Sequence, residues 1–200
     1  MQKKSLMAVL LITLCFFSFK NSSIKIGDTL PMADKELVDV SGNTVSLKSA
    51  VGSNGLLVMF SCNTCPFVIK NQQRTIAICN YAKENNIGIV LLNSNEAGRN
   101  GGESFEKMQQ YAKSQNYNWI YAVDKDNAIA DAFDANRTPE CFLFDKNQAL
   151  VYHGAIDDSP QDQNKVTRMH LKIAMEEIVS GREVSTNESR SVGCAIKRKF

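Results

Sequence analysis

The chain reads as a single α/β domain built on a central mixed sheet with helices on both sides. Three observations carry this. Two short, continuous apolar runs, residues 56–60 and 87–92, have the pattern of strands buried on both faces. Helix-compatible segments alternate with them, which implies parallel strands joined by crossover helices. The end of the chain adds two strands separated by the turn Asp145-Lys146-Asn147-Gln148, so antiparallel pairing joins the sheet there.

The elements follow in order. Residues 37–40 and 44–47 alternate around Ser41-Gly42-Asn43 and predict an N-terminal β-hairpin. The strand at 56–60 precedes a helix over 67–84, whose apolar side is expected to be Val68, Ile69, Ile76, Cys79 and Ala82. After the strand at 87–92, residues 93–103 form a loop rich in Asn and Gly. A helix is predicted over 104–114, a strand over 119–123, and a short helix over 127–133. Strands at 141–144 and 149–152 are followed by a helix over 162–180 with Val166, Met169, Ile173 and Ile178 on one side, and Gly181 stands as its C-cap. Three regions result: a signal peptide at 1–23, a folded domain at 24–181, and a tail at 182–200 that carries Cys194.

Two hundred residues suffice for one domain with a substantial core. The formal net charge is +2, and removing residues 1–23 leaves 20 basic against 21 acidic residues, a balance of −1. Nucleic acid is therefore not an expected partner. Lys3 and Lys4, followed by a 14-residue, mostly apolar stretch at 6–19, have the form of an export signal. That stretch is short for a membrane span of about 20 residues. The expected location is the periplasm or cell envelope. A lipoprotein anchored at Cys15 ranks lower, because Leu14 stands where a small residue is required.

Export implies an oxidising compartment. Without Cys15 five cysteines remain, Cys62, Cys65, Cys79, Cys141 and Cys194, and an odd number cannot all pair within the chain. Cys62 and Cys65 form a CxxC between a buried strand and a helix. A thiolate is the reactive form of cysteine, and the first turn of a helix favours it. The spacing suits one attacking sulfur, Cys62, and one resolving sulfur, Cys65. Pro66, which has no N–H to donate, favours a helix boundary here. Half of a metal site or a structural disulfide are the competing readings, and the placement between strand and helix favours redox work. Thr138-Pro139 precedes the strand at 141–144. A cis proline there would lie beside the dithiol and offer backbone groups for strand-like pairing with a substrate.

Together these features resemble the thioredoxin superfamily, and the extra β-α between the CxxC helix and Thr138-Pro139 resembles its redoxin or peroxiredoxin-like branch. The segments FSCNTCPFV, TPECFLFD, VYHGAIDD and SVGCAIK are similar to alkyl hydroperoxide reductase / thiol-specific antioxidant proteins over about residues 26–197. The resemblance implies a thioredoxin-like fold, catalytic Cys62 and Cys65, a substrate groove shaped by Thr138 and Pro139, and Cys194 as a candidate third redox thiol. Intermolecular pairing, or a tail packed on the domain, are the other readings of Cys194. The peroxidatic pattern P-x-x-x-T-x-x-C is not matched: Gly55 and Met59 stand in its places ahead of Cys62, and Val58 and Cys62 ahead of Cys65.

Expected partners are a protein or small-molecule thiol or disulfide, or a peroxide, together with an electron donor the sequence does not identify. No cofactor is predicted, since no flavin or nucleotide motif is visible, and residues 98–102 (GRNGG) lack the surroundings of a phosphate loop. The leading function is thiol–disulfide exchange. A thiol peroxidase and a copper or zinc carrier using Cys62, Cys65 and His153 are the rivals. Cys79 and Cys141 read as core thiols. Arg137 beside the thiolate and Asp157 or Asp158 in proton transfer to Cys65 are minor candidates.

Overall fold

The computed structural model describes residues 23–199, so the predicted signal peptide lies almost wholly outside the described residues. The hairpin β1 (Leu37–Val38) and β2 (Thr44–Val45) forms as expected, with Leu37 opposite Val45. β3 (Leu56–Ser61) follows, then α1 (Pro66–Glu84), β4 (Gly88–Asn93), α2 (Phe105–Ser114), β5 (Ile120–Val123) and α3 (Ala128–Ala132). The chain closes with β6 (Arg137–Thr138), β7 (Glu140–Phe144), β8 (Leu150–Gly154), α4 (His170–Val179) and β9 (Cys194–Ala195).

The five-stranded sheet has the order β5-β4-β3-β7-β8. β4 pairs parallel to both β3 and β5, whereas β7 pairs antiparallel to β3 and β8. β3 is central, and all six of its residues are buried, which is why its apolar run is continuous rather than alternating. Successive side chains still point to opposite faces. Leu57 and Met59 join Leu91, Cys141 and Leu143 beneath α1, α2 and α4. Leu56, Val58 and Phe60 join Val90, Leu92, Phe142 and Phe144 on the other face with Phe133 and the N-terminal Leu30, Leu37 and Leu47. Phe60, Phe133 and Phe142 meet edge to face with ring centroids 5.1–5.6 Å apart. Each large apolar side chain buried in this way contributes about 1.5–3 kcal/mol.

Four expectations are corrected. The buried side of α1 is Val68, Asn71, Gln72, Thr75, Ile78, Cys79 and Ala82, while Ile69 is 55% exposed. The two amides among them find partners: Asn71 Nδ2 donates to the Phe67 and Pro160 carbonyls, and Gln72 meets the Tyr111 and Tyr117 hydroxyls. The last helix does not begin at Asp162. Its carboxylate caps only a 3₁₀ turn, Gln163–Lys165, after which the chain extends. Asp158 then takes the Thr167 N–H, and α4 starts at His170. Its buried side is Leu171, Ala174 and Met175, with Met169 54% exposed just before it. The C-cap of α4 is Ser180 rather than Gly181, which follows it in the left-handed region with φ +70°.

The tail is not separate from the domain. Residues 187–189 run along β8, with His153 N–H donating to the Asn187 carbonyl and Ser189 N–H to the His153 carbonyl. β9 then pairs antiparallel with β6, Cys194 opposite Thr138. Ile196 is buried among the residues of the second face.

Candidate functional site

β3 delivers Cys62 at its C-terminal end. α1 begins only at Pro66, with Cys65 as its N-cap and Pro66 in the first turn, where a missing N–H costs nothing. Cys62 therefore sits one turn upstream of the helix, not in its first turn. Its thiol is fully buried. Burial pushes its pKa up, and the nearby Glu103 carboxylate adds to the rise. The Thr138 hydroxyl and the N–H groups of Cys65 and Thr64 pull the other way without overcoming burial. The expectation of an acidified Cys62 is thus reversed: desolvation of a thiolate outweighs the local dipoles.

The turn that carries Cys62 is held by Glu103, a residue the sequence reading did not single out. Glu103 Oε2 accepts from Asn63 N–H at 2.9 Å and from Asn93 Nδ2 at 2.7 Å. Its Oε1 accepts from Thr64 N–H at 3.1 Å and from the Thr64 hydroxyl at 2.6 Å. Asn63 Nδ2 donates to the Gly102 carbonyl, and the Tyr121 hydroxyl donates to Asn63 Oδ1 at 2.8 Å. A buried carboxylate with four donors meets the condition under which burying charge is tolerable. The Asn- and Gly-rich loop at 93–103 thus fixes the inner dipeptide of the CxxC. A charged residue among glycines, directly before the helix-capping Ser104, was the only trace of this in the sequence.

Opposite the turn stands Thr138, joined to Pro139 by a cis peptide bond. Its hydroxyl lies 3.5 Å from Cys62 Sγ, and its carbonyl oxygen lies 3.3 Å from Cys65 Sγ. The second contact is a hydrogen bond only when Cys65 is a free thiol. Here Cys65 is bonded to Cys194, with a Cα–Cα distance of 6.1 Å, and Cys62 is free. The three sulfurs thus gather around one residue, and the disulfide joins the second CxxC cysteine to the tail rather than to Cys62. The backbone edge expected to receive a substrate strand is occupied by β9. Gly193 permits this approach, since a Cβ there would lie 2.1 Å from the Thr138 carbonyl oxygen.

Glu140 secures the other side of the turn, accepting from Asn136 N–H at 2.8 Å and Arg137 N–H at 3.1 Å. Its second oxygen lies 2.9 Å from His153 Nε2, and the His153 ring stacks on Phe142. His153, the third ligand of a metal carrier, is therefore committed to Glu140. Among the described residues no group of three or more His, Cys, Asp or Glu is placed to hold a metal ion. Cys79 and Cys141 are buried among apolar residues, and burial raises both thiols. Arg137 is not among the charges that act on Cys62, and its guanidinium reaches the Gly193 carbonyl instead. Asp157 is bound by Arg74 at 2.7 Å, and Asp158 by Thr167, so neither is offered to Cys65.

A family model described as Redoxin matches residues 25–169. Among solved structures, an uncharacterized conserved protein from Geobacillus kaustophilus is 32% identical, with a TM-score of 0.81, over 88% of this chain and 93% of that one. A hypothetical protein from Sinorhizobium meliloti 1021 is also 32% identical, with a TM-score of 0.81, over 89% of this chain and 97% of that one. The thioredoxin domain of a thiol-disulfide oxidoreductase from Bacteroides vulgatus shares the fold at 18% identity and a TM-score of 0.56, over 70% of this chain and 94% of that one. No curated protein matches the chain.

Proposed function

The chain belongs to the Redoxin family, and on that premise we propose that it is an exported thiol–disulfide oxidoreductase whose cysteines 62, 65 and 194 share one disulfide. The observation that carries this reading is the convergence of the three sulfurs on Thr138. In the reduced protein, the Cys62 thiolate attacks a substrate disulfide and expels one substrate thiolate, which takes up the proton Cys62 released. Cys65 attacks the resulting mixed disulfide at Cys62 Sγ and expels the second substrate thiolate. Cys194 then attacks Cys65 Sγ and expels Cys62, which gives the arrangement present here. The substrate gains two electrons and the Cys65–Cys194 pair loses them. Thr138 and Pro139 shape the site. Export is supported by the charged and apolar pattern of residues 1–23. Among the described residues no helix is long and apolar enough to cross a membrane.

A second reading, thiol peroxidase, is favoured by one observation: Cys62 is covered, so a small oxidant suits it better than a bulky one. There the peroxide converts Cys62 to a sulfenic acid and leaves as water or an alcohol. Cys65 then displaces water from the sulfenic acid and forms the Cys62–Cys65 disulfide. The absent peroxidatic pattern weighs against it. Stopped-flow mixing of fully reduced protein with hydrogen peroxide, and separately with glutathione disulfide, separates the two. Trp119 fluorescence and free thiols give the readout. Disulfide reduction that is lost in Cys62→Ser, with peroxide consumed no faster than by a free thiolate, is the expected result. Rapid peroxide consumption lost in Cys62→Ser would install the second reading. Disulfide exchange that survives Cys62→Ser would remove Cys62 from both.

A further inference from the structure

The geometry points to Cys194 as the sulfur at which an external thiol donor attacks the Cys65–Cys194 disulfide, with Cys65 as the departing internal thiolate. This rests on the reading that these sulfurs exchange a disulfide, and it assigns the step that restores the reduced protein.

Attack on a disulfide requires access to one of its two sulfurs. Cys65 is 4% exposed and Cys62 is 0% exposed, whereas Cys194 is half-buried and is followed by exposed Ala195. The side of the site that borders Thr138 is filled by β9 itself. Access therefore selects Cys194 as the attacked sulfur, and Cys65, its partner in the bond, is the sulfur that departs.

The tail also keeps Cys194 in place once the bond is cut. Upstream, the Ser189 hydroxyl accepts from Ala155 N–H at 2.9 Å and lies 2.7 Å from the Tyr152 hydroxyl. Downstream, Ile196 is buried, its N–H donates to the Asn136 carbonyl, and Lys197 N–H donates to Asn95 Oδ1 at 2.8 Å. The strand 194–195 is thus an arm held on both sides, which keeps the half-buried Cys194 beside Cys65.

The step balances with a thiol donor. Its thiolate bonds to Cys194 Sγ as the Cys65–Cys194 bond breaks, and the Cys65 thiolate takes a proton from solvent. A second donor thiolate attacks the donor sulfur of the mixed disulfide. That releases Cys194 as a thiolate and the donor as its own disulfide, so two electrons enter the protein.

The test uses Cys62→Ser protein in which the Cys65–Cys194 bond has been confirmed by mass. It is exposed briefly to glutathione, quenched in acid, alkylated with a maleimide and mapped by peptide mass spectrometry. Glutathione on Cys194 with maleimide on Cys65, in at least tenfold excess over the reverse, is the expected pattern. Glutathione on Cys65, an even distribution, or a protein that never forms the Cys65–Cys194 bond would overturn the assignment. Wild-type protein mapped in the same way guards against a folding defect in the variant. Label on Cys194 in a protein that shows no Cys62-dependent exchange would sink the preceding reading and leave this one standing. Label on Cys65 with that exchange intact would do the opposite.

Discussion

The Thr138 hydroxyl lies 3.5 Å from Cys62 Sγ, the one side chain that lowers the pKa of a thiol raised by its own burial. A hydroxyl that donates to sulfur favours the thiolate, and a net hydrogen bond is worth about 0.5–1.5 kcal/mol. Thr138→Val keeps the shape and removes the donor. Alkylation of Cys62 in the reduced variant should be slower at neutral pH by about 2- to 10-fold, with its pH midpoint moved upward. The midpoint of the wild-type protein should already stand above the usual thiol value of about 8.5. Following iodoacetamide labelling of Cys62 by mass spectrometry from pH 6 to 11 checks both statements, and an unchanged profile in the variant would dismiss the hydroxyl.

Glu103 has two opposing effects on the same turn. Its four accepted hydrogen bonds hold Asn63, Thr64 and Asn93, while its charge raises the Cys62 thiol. In Glu103→Gln the amide nitrogen faces donors it cannot accept from, which leaves buried N–H groups unpaired at about 1–3 kcal/mol. The variant should unfold at lower urea, and its Cys62 should titrate at lower pH than in the wild type. A purely structural role for Glu103 would give the first change without the second.

How far these features were legible depends on where their partners lie. The strand at β3 showed itself because burial on both faces forces a continuous apolar run. The CxxC and Thr138-Pro139 are local signatures and were found. Glu103 was not, because its partners Asn63, Thr64 and Asn93 come from separate segments and no spacing relates them. The Cys65–Cys194 bond spans 129 residues, and the pairing of one cysteine among five cannot be deduced from counts. The start of α4 was misplaced because Asp158 and Asp162 compete for the backbone of residues 164–168, a local hydrogen-bonding choice that periodicity does not register. The acidity of Cys62 was misjudged because a helix end is visible in sequence and the depth of burial is not.

Gly193 tests whether β9 belongs on the Thr138 edge. A methyl group there would meet the Thr138 carbonyl oxygen at 2.1 Å and the Pro139 nitrogen at 3.2 Å, both backbone atoms with no freedom to withdraw. Gly193→Ala should displace the strand at about 1–3 kcal/mol. Less of the oxidised protein should then carry the Cys65–Cys194 bond, and protease should cut the tail sooner. Non-reducing peptide mapping and limited proteolysis measure the two, and wild-type yields of the bond would show that the tail reaches Cys65 without pairing to β6.

Buried thiols and phenols make the fold sensitive to alkali. Cys62, Cys79 and Cys141 all have raised pKa values, with burial as the main cause, and so do Tyr117, Tyr121 and Tyr152. Below about pH 8.5 these groups are protonated in both folded and unfolded chains and contribute no pH dependence. Above it the unfolded chain releases thiol protons that the folded chain retains. The unfolded state then binds fewer protons, and stability falls as pH rises. Each thiol that ionises in the unfolded chain alone contributes about 1.4 kcal/mol per pH unit, so Cys79 and Cys141 give a slope of about 3 kcal/mol per unit, to which Cys62 adds only until it ionises in the fold as well, before tyrosines join near pH 10. Urea unfolding under anaerobic, reducing conditions should show constant stability from pH 7 to 8 and a steep decline from 9 to 10. Cys79→Ala should start lower, because it leaves a small cavity, yet decline less steeply by the share of one thiol. A flat profile up to pH 10 would mean that these thiols ionise as readily in the fold as outside it.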